Sequence, residues 1–289
     1  MQVVKTFKHK AVDVFKFGYG LFGKPQMYVH CFWVDGLLID TGQSNARKSV
    51  LTALRDKTIE QIFITHHHED HTGNLHVLQK QLQCPAYAHP LCVELMKNPP
   101  SISFAQWITW GRRPANFKIQ PSKHQIQTSN YTFEIIPIPG HSTDHTCLYE
   151  RNQGWLFSAD LYANDFIRYF MKGESMYQQI QSIHKILKLD FDTLFCSHNP
   201  QLENAKERLR AKVQFFEDFY GRVLMYYNRG ITDAELILQE LAKQGLVDLR
   251  KDKVSRLVSG GKLSTLNMVE AVLNDEQLIR HKKSFGESN

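Results

Sequence analysis

A dense group of metal-binding side chains lies in segment 65–72, which reads Thr-His-His-His-Glu-Asp-His-Thr. It follows a short β-rich run that predicts a strand and precedes a run with helical spacing. Because alternate side chains of an extended chain share one side, His66 and His68 point the same way. Asp70 and His71 lie where the chain turns into the helix. Imidazole and carboxylate suit zinc, iron or manganese, so the segment predicts a metal site rather than a histidine-rich surface loop.

Three further potential ligands each follow a predicted strand. His141 stands in Pro-Gly-His-Ser, Asp160 in Ser-Ala-Asp and His198 in Cys-Ser-His. Any one of them alone is typical of a turn histidine or a helix-capping aspartate. Together they place ligands repeatedly at strand ends, where an α/β fold opens its active site.

The order His-x-His-x-Asp-His, then a single His, an Asp and a His, resembles the metallo-β-lactamase superfamily. The resemblance runs from about Gly36 to His198. It implies two metal ions, with Asp160 bridging both. The first ion would be held by His66, His68 and His141, and the second by Asp70, His71 and His198. No ligand position of the family pattern is missing, which argues against an inactive relative.

The resemblance also implies roles for residues beside the ligands. Asp40, in Ile-Asp-Thr-Gly, matches the family's first motif and would brace the metal loop by hydrogen bonds. Three neighbours are predicted not to bind metal: His67 points away from the histidines on either side, Glu69 faces outward, and His145 is structural or supports a ligand.

The implied activity is that of a metal-dependent hydrolase. Two divalent cations, with Zn²⁺ preferred and Mn²⁺ or Fe also compatible, would supply a bridging hydroxide that attacks the substrate. Asp70 would be catalytic as well as a ligand, by orienting the nucleophile or moving a proton. Segment 65–72 most resembles thioester hydrolases of the glyoxalase II kind. A thioester or other ester-like bond is therefore the expected substrate.

Several alternatives stay open. A phosphodiesterase or nuclease-type hydrolase shares the fold and metals. A mononuclear iron dioxygenase of the same fold uses two histidines and one aspartate, which would leave the second ligand set unexplained. Di-iron flavoprotein relatives carry glutamate where this chain has His68. The intact ligand set counts against a non-catalytic binding module.

Candidate substrate contacts follow Asp160. Arg168 or Lys172 would anchor a substrate carboxylate or phosphate, and Tyr162 would polarise a substrate oxygen. Exposed charges and a packed tyrosine are the competing interpretations. Segment 99–121, which contains two tryptophans and two arginines, is interpreted as a lid or as a surface insertion.

The remaining pattern predicts the scaffold. Asp35-Gly36 between apolar runs indicates a hairpin turn. Strands alternate with helices, which indicates an α/β layer architecture, and the resemblance implies a four-layer αβ/βα metallo-β-lactamase sandwich. The predicted helices are 44–55, 72–82 and 177–187; the predicted strands are 59–65, 86–88, 131–138, 146–149, 154–158 and 193–196.

Helical patterns replace strands after residue 202. We therefore predict a catalytic domain over 1–202 and a C-terminal helical region over 203–289. Within the latter, Thr232 and Glu235 have capping-box spacing, Gly245 is a helix stop, and 264–279 is an amphipathic helix.

Composition limits the partners. The 289 residues are 42% hydrophobic and carry a net charge of +6, spread without a basic run, so an anionic small molecule fits and nucleic acid is not indicated. The five cysteines are odd in number and irregularly spaced, which favours a reducing compartment. No apolar run reaches the length of a signal peptide or a membrane span, so a soluble cytoplasmic protein without a membrane partner is expected. The pattern does not predict an oligomeric state.

Overall fold

The computed structural model describes residues 2–21, 23–25, 27–113 and 117–275. Its residues fall into two units. The first comprises the chain up to Pro139 together with Thr143–Ala163 and Leu189–Glu207. The second comprises Gly140–Ser142, Asn164–Lys188 and the chain from Arg208 onward. The domain boundary predicted after residue 202 stays a prediction.

The strands and helices are numbered in chain order. The strands are β1 Gln2–His9, β2 Val12–Tyr19, β3 Tyr28–Val34, β4 Leu37–Ile39, β5 Gln61–Ile64, β6 Ala86–Ala88, β7 Gln120–Pro121, β8 Gln125–Gln127, β9 Thr132–Pro137, β10 Thr146–Glu150, β11 Trp155–Ala159, β12 Phe170–Met171, β13 Thr193–Cys196 and β14 Leu263–Ser264. The helices are α1 Arg47–Leu54, α2 Glu69–Thr72, α3 Leu75–Leu82, α4 Pro90–Lys97, α5 Phe104–Trp110, α6 Met176–Leu187, α7 Ala205–Asn228, α8 Ala234–Lys243, α9 Leu249–Ser259 and α10 Thr265–Leu273.

The first unit contains a sheet in the order β1-β2-β3-β4-β5-β6-β7. Its pairing is antiparallel up to β4 and parallel from β4 to β7. The predicted hairpin turn is present, because Asp35 and Gly36 have φ of 48° and 84°, the left-handed conformation that a tight two-residue hairpin requires. In β5, which pairs in parallel with a strand on each side, Ile62, Phe63 and Ile64 are all buried, as expected for an apolar run inside a parallel sheet.

A second sheet of the first unit has the order β13-β11-β10-β9-β8, and β11 and β13 are parallel. Apolar side chains of both sheets form one buried cluster. In its centre, the ring of Phe157 lies 4.6 Å from that of Phe195 and 5.5 Å from that of Phe32. A separate cluster joins the first sheet to α1, α3 and α4. The two sheets therefore pack face to face, with helices on the outer side of the first.

Two of the predicted helices have different bounds in the structure. Segment 44–55 begins with a short 3₁₀ turn, Ser44–Ala46, before α1. The helix predicted over 72–82 is two helices, because α2 begins at Glu69 and α3 begins only after Asn74. The break at Asn74 leaves its side-chain amide free to donate to the carbonyls of Thr41, Gly42 and Gln43.

Segment 99–121, predicted as a lid or an insertion, contains α5 and β7. Helix α5 begins at a capping box formed by Ser103 and Gln106. Residues 114–116 lie outside the described residues, and the lid function stays a prediction.

The second unit contains α6, most of α7, and α8 to α10, with β12 and β14 paired antiparallel. The N-cap of α8 is Asp233, whose carboxylate accepts the amide hydrogen of Leu236, so the capping box predicted for Thr232 was wrong. Gly245 follows the end of α8 with φ of 75°, as predicted for a helix stop. Helix α10 ends at Leu273, and residues 276–279 of the predicted helix lie outside the described residues. In the part of the chain that the structure describes, no helix has both the length and the apolar character needed to cross a membrane.

Candidate metal centre

Neighbouring parallel strands bring the polar residues together. Asp40 follows β4 and Thr65 follows β5, and these strands pair in parallel. Asp160 follows β11, and His198 lies two residues beyond β13, the parallel partner of β11. Asp40 and Ala159 have φ of 60° and 45°, a conformation that non-glycine residues rarely adopt and that is concentrated at functional sites. The strand ends of both sheets therefore direct polar side chains toward one place.

The carboxylates of Asp70 and Asp160 and the imidazoles of His71 and His198 form the first of two ligand groups. One ligand atom from each lies within 4.8 Å of all the others. His71 Nε2 lies 3.2 Å from Asp160 Oδ1, and His198 Nε2 lies 3.2 Å from Asp160 Oδ2. Asp70 Oδ2 lies 3.6 Å and 3.5 Å from the same two nitrogens. All four side chains are largely buried, and His198 is the most exposed at 14%.

The second ligand group in the first unit consists of His66, His68 and Asp160. Their ligand atoms also lie within 4.8 Å of one another. His66 Nε2 lies 3.0 Å from His68 Nδ1 and 3.9 Å from Asp160 Oδ2. Asp160 thus belongs to both groups and faces imidazoles of each.

These donors fit a divalent cation. In a tetrahedral site with metal–nitrogen bonds of about 2.0–2.1 Å, neighbouring ligand atoms stand about 3.3 Å apart, which is close to most of the separations here. Nε2 of His71 is fully buried and has no hydrogen-bond partner among the described residues, yet it faces two carboxylates. A cation bound between this nitrogen and the two carboxylates would satisfy it.

In His71 and His198, Nδ1 is the ring nitrogen that faces away from the ligand group, and it contacts other groups of the protein. His71 Nδ1 lies 2.7 Å from Asp40 Oδ2, and the same carboxylate accepts the backbone and hydroxyl hydrogens of Thr65. His198 Nδ1 donates to the carbonyl of Tyr28 at 2.8 Å. These contacts fix the ring orientations and leave Nε2 of both histidines for a metal.

Replacing Asp40 by Asn is expected to weaken metal affinity about 10- to 100-fold, because the neutral amide no longer supports His71 as a ligand. The measurement is the metal content of the variant during titration with a competing chelator. Asp13→Asn is a suitable control, since Asp13 pairs with Lys57 away from the ligands. An Asp40→Asn variant that retained metal as tightly as the parent would contradict the bracing role.

Two histidines predicted not to be ligands have structural contacts. Asp144, fully buried, accepts the backbone hydrogen of His67 at 2.8 Å and lies 2.9 Å from its Nδ1. His145 Nε2 accepts the backbone hydrogen of Asp160 at 3.3 Å. Sequence analysis missed Asp144, since nothing in the pattern relates it to a backbone amide 77 residues earlier.

The prediction that Glu69 faces outward was wrong. Its side chain is 2% exposed and lies 3.3 Å from a guanidinium nitrogen of Arg113, itself 11% exposed. Glu69 begins α2, and the turn into that helix directs its carboxylate into the protein. Segment 65–72 is therefore joined to the residues after α5 by a buried ion pair.

The division of the chain assigns His141 to the second unit and the other six predicted ligands to the first. Within that unit its Nδ1 lies 3.2 Å from Glu174 Oε2, which also accepts a hydrogen from the Gln179 amide. Gly140 approaches α6 so closely that a Cβ would stand 2.4 Å from the Gln179 nitrogen. The backbone and the ring orientation of His141 are thus fixed.

The three candidate substrate contacts are divided between the units. Tyr162 is buried in the first unit. Arg168 and Lys172 are exposed in the second unit, where their backbones contact Thr265 and Lys262. Their roles in substrate binding stay predictions.

Charges in the first group act strongly on one another. Burial alone would lower the pKa of His198, but the carboxylate of Asp160 raises it to about 9. Burial likewise opposes protonation of His71, yet Asp160 and Asp40 raise its pKa well above the ordinary value. Burial raises the pKa of Asp70 to about 6, although His71 and His198 oppose the shift. The group therefore attracts positive charge, which protons and metal ions both supply.

Sequence analysis treated Trp110 only as part of the possible lid. The structure places its buried ring 5.8 Å from the ring of His198. Helix α5 thus ends against a predicted ligand.

The two-sheet fold and the histidine–aspartate groups at its strand ends define a class of metal-binding hydrolases. The family model of the metallo-beta-lactamase superfamily matches residues 26–198, more than half of the chain, so the chain belongs to this superfamily of metal-dependent hydrolases. The predicted fold class, with its C-terminal helices, is confirmed.

The individual relatives share less than a third of their aligned residues with this chain. An uncharacterized protein of Aquifex aeolicus is 28% identical over 66% of this chain and 88% of its own length. A hydroxyacylglutathione hydrolase of Idiomarina loihiensis is 26% identical over 61% of each chain, so the match spans about three fifths of that enzyme. Among solved structures, a metallo-beta-lactamase from Pontibacter korlensis has a TM-score of 0.57 and 16% identity over 74% of this chain and 99% of its own. The last likeness is one of fold.

Proposed function

We propose that this chain hydrolyses a thioester or a related ester-like bond at a two-metal centre. The observation that carries the proposal is the position of Asp160. Its Oδ1 lies 3.2 Å from His71 Nε2, while its Oδ2 lies 3.2 Å from His198 Nε2 and 3.9 Å from His66 Nε2. One carboxylate thus faces both ligand groups, as a bridging ligand must. The hydroxyacylglutathione hydrolases among the relatives support the thioester as substrate.

In this proposal each ligand group holds one cation, Zn²⁺ before Mn²⁺ or Fe. His66, His68 and His141 would hold one cation, Asp70, His71 and His198 would hold the other, and Asp160 would be a ligand of both. When bound, the two cations activate water at neutral pH and polarise the substrate carbonyl. The buried carboxylate of Asp70 orients the attacking water. Asp40 and the carbonyl of Tyr28 keep His71 and His198 in place.

The group formed by Asp70, His71, Asp160 and His198 favours a two-metal hydrolase over a mononuclear iron dioxygenase. A single iron held by two histidines and one aspartate would need neither Asp70 nor His198. Both have side chains directed at Asp160 and His71. A phosphodiesterase would use the same two groups, so only substrate tests distinguish it from a thioesterase.

Protein stripped of metal with a chelator is expected to lose all turnover, and to regain it on addition of about two zinc ions per chain. The measurement is a hydrolysis panel on zinc-, manganese- and iron-loaded protein, with a glutathione thioester, a phosphodiester, a lactone and a β-lactam as substrates. The thioester is expected to be cleaved fastest.

If only the phosphodiester is cleaved, the proposed activity is a phosphodiesterase and not a thioesterase. Activity that needs iron and consumes oxygen, with no hydrolysis, would establish the dioxygenase instead.

A further inference from the structure

Helix α9 has polar side chains on its inner side and apolar side chains on its outer side. The inner side packs against β14 and the start of α10 through hydrogen bonds. Buried Asp252 accepts the backbone hydrogen of Thr265 at 2.6 Å, and Ser255 donates to the carbonyl of Leu263 at 2.7 Å. Ser259 accepts the backbone hydrogen of Leu263 at 3.0 Å. A surface helix of a globular protein has the opposite arrangement, with its apolar stripe toward the core.

The apolar residues on the outer side of α9 are strongly exposed. Val254, Leu257 and Val258 are exposed by 60, 83 and 63%. Leu257 and Val258 follow Val254 by three and four residues, so the three side chains share one stripe of the helix. Three cations lie along the same stripe and at its edges, one or two turns earlier. We define the α9 outer face by its six exposed residues, which are Arg250, Lys251, Lys253, Val254, Leu257 and Val258.

The polar contacts of α9 fix which side faces outward. Arg256 Nε lies 2.8 Å from Asp252 Oδ2, and the same guanidinium pairs with Glu235 of α8. The helix starts at Asp248, whose carboxylate accepts two backbone hydrogens of the first turn. Rotation of the helix to bury its apolar side would leave the carboxylate of Asp252 without these partners, which is costly. A contiguous apolar patch that folding leaves exposed marks an interaction surface.

The α9 outer face carries positive charge. Its cations are Arg250, Lys251 and Lys253, and the exposed carboxylate at this helix is that of Asp248, 3.1 Å from Lys251 Nζ. An exposed pair of this kind contributes little and opens readily. Apolar side chains flanked by cations are typical of helices that lie in the interface of a membrane with anionic lipids. Lysine and arginine have long stems, so their charges reach the headgroups while the apolar side chains enter the acyl boundary.

Other partners complement the α9 outer face less well. A second copy of the same face would place cations against cations. The phosphates of a nucleic acid would meet three aliphatic side chains, which form no hydrogen bonds with them. Cores of protein interfaces are enriched in aromatic residues and depleted of lysine, whereas none of these six residues is aromatic and two are lysines. Segment 276–289 has three arginines and lysines and two acidic residues, so it does not supply a complementary charge.

We propose that the α9 outer face binds the surface of a membrane that contains anionic lipids. Val254, Leu257 and Val258 lie at the acyl boundary, and the three cations contact the headgroups. The expectation of no membrane partner rested on the length of apolar runs, which detects segments that span a bilayer and not helices that lie on it. The face is small, so the binding is reversible. The inference is independent of the chemistry at the metal centre.

The test is sedimentation of the full chain with vesicles of phosphatidylcholine and phosphatidylglycerol in equal parts, compared with vesicles of phosphatidylcholine alone. The parent is expected to bind the mixed vesicles more strongly, and less so at high salt. Leu257→Gln is expected to weaken this binding about tenfold, and Lys253→Gln about fivefold. Leu91→Gln and Lys97→Gln are the matched controls, because both side chains are exposed on α4 of the first unit, and they are expected to bind like the parent.

Four results would overturn the inference. The first is a parent that does not sediment with the mixed vesicles, and the second is equal binding by the parent and Leu257→Gln. The third is a dimer of the parent, seen by analytical ultracentrifugation, that Leu257→Gln dissociates, which would assign the face to a second copy. The fourth is binding of an oligonucleotide that Lys253→Gln weakens and Leu257→Gln does not. Both substituted side chains are exposed, so each variant is expected to unfold at the parental temperature.

Discussion

Replacing Asp160 by Asn is expected to lower turnover about 10³-fold or more, a loss of about 4 kcal/mol in transition-state stabilisation. The amide has nearly the volume of the carboxylate, so the buried position stays filled. It lacks the negative charge that faces His66, His71 and His198. The measurement is kcat on the best substrate of the panel, together with the metal content of the purified variant.

The control for this variant is Asp56→Asn. Asp56 is 85% exposed and pairs only with its neighbour Arg55 among the described contacts, so the same loss of charge there is expected to leave kcat unchanged. An Asp160→Asn protein with parental turnover and full metal content would remove the bridging assignment.

Replacing Arg113 by Met is expected to lower the free energy of unfolding by about 3 kcal/mol. The substitution leaves the carboxylate of Glu69 buried without its ion-pair partner, and removing one member of a buried pair costs more than the pair contributes. The measurement is denaturant unfolding of metal-free protein, because Glu69 adjoins Asp70 and a change in metal binding would confuse the result.

The double variant Glu69→Gln with Arg113→Met tests the cause. It is expected to recover much of the lost stability, since it no longer buries an unpaired charge. Losses that simply add in the double variant, or a single variant as stable as the parent, would show that the two side chains do not act as a pair.

Sequence predicted the fold where the signal is local. The turn at Asp35 and Gly36 needs only two residues in a left-handed conformation. The predicted start of α6 was correct to within one residue, because the apolar spacing of this helix is regular. The cap of α8 was misplaced because Thr232 and Asp233 are both good cap residues. The backbone at Asp233 decides between them, and the sequence does not encode that choice visibly.

The metal-ligand residues of segment 65–72 could be predicted from the sequence, because they occur there at a fixed spacing. The partner of Glu69 was not readable, since Arg113 lies 44 residues further along and only packing brings it close. The same holds for Trp110 beside His198. Contacts made by the chain with distant segments thus determine which residues around the motif are buried, paired or close to a ligand.

The position of the ligands at strand ends of both sheets sets the order of events when the chain folds. His66 follows a strand of the first sheet, and Asp160 and His198 follow strands of the second, more than ninety residues away in sequence. During synthesis the first histidines leave the ribosome long before His198 exists, so the metal groups form only after the sheets have packed. A cation bound there would stabilise interactions that form after the folding transition state. We therefore expect metal to slow unfolding and to have little effect on the folding rate.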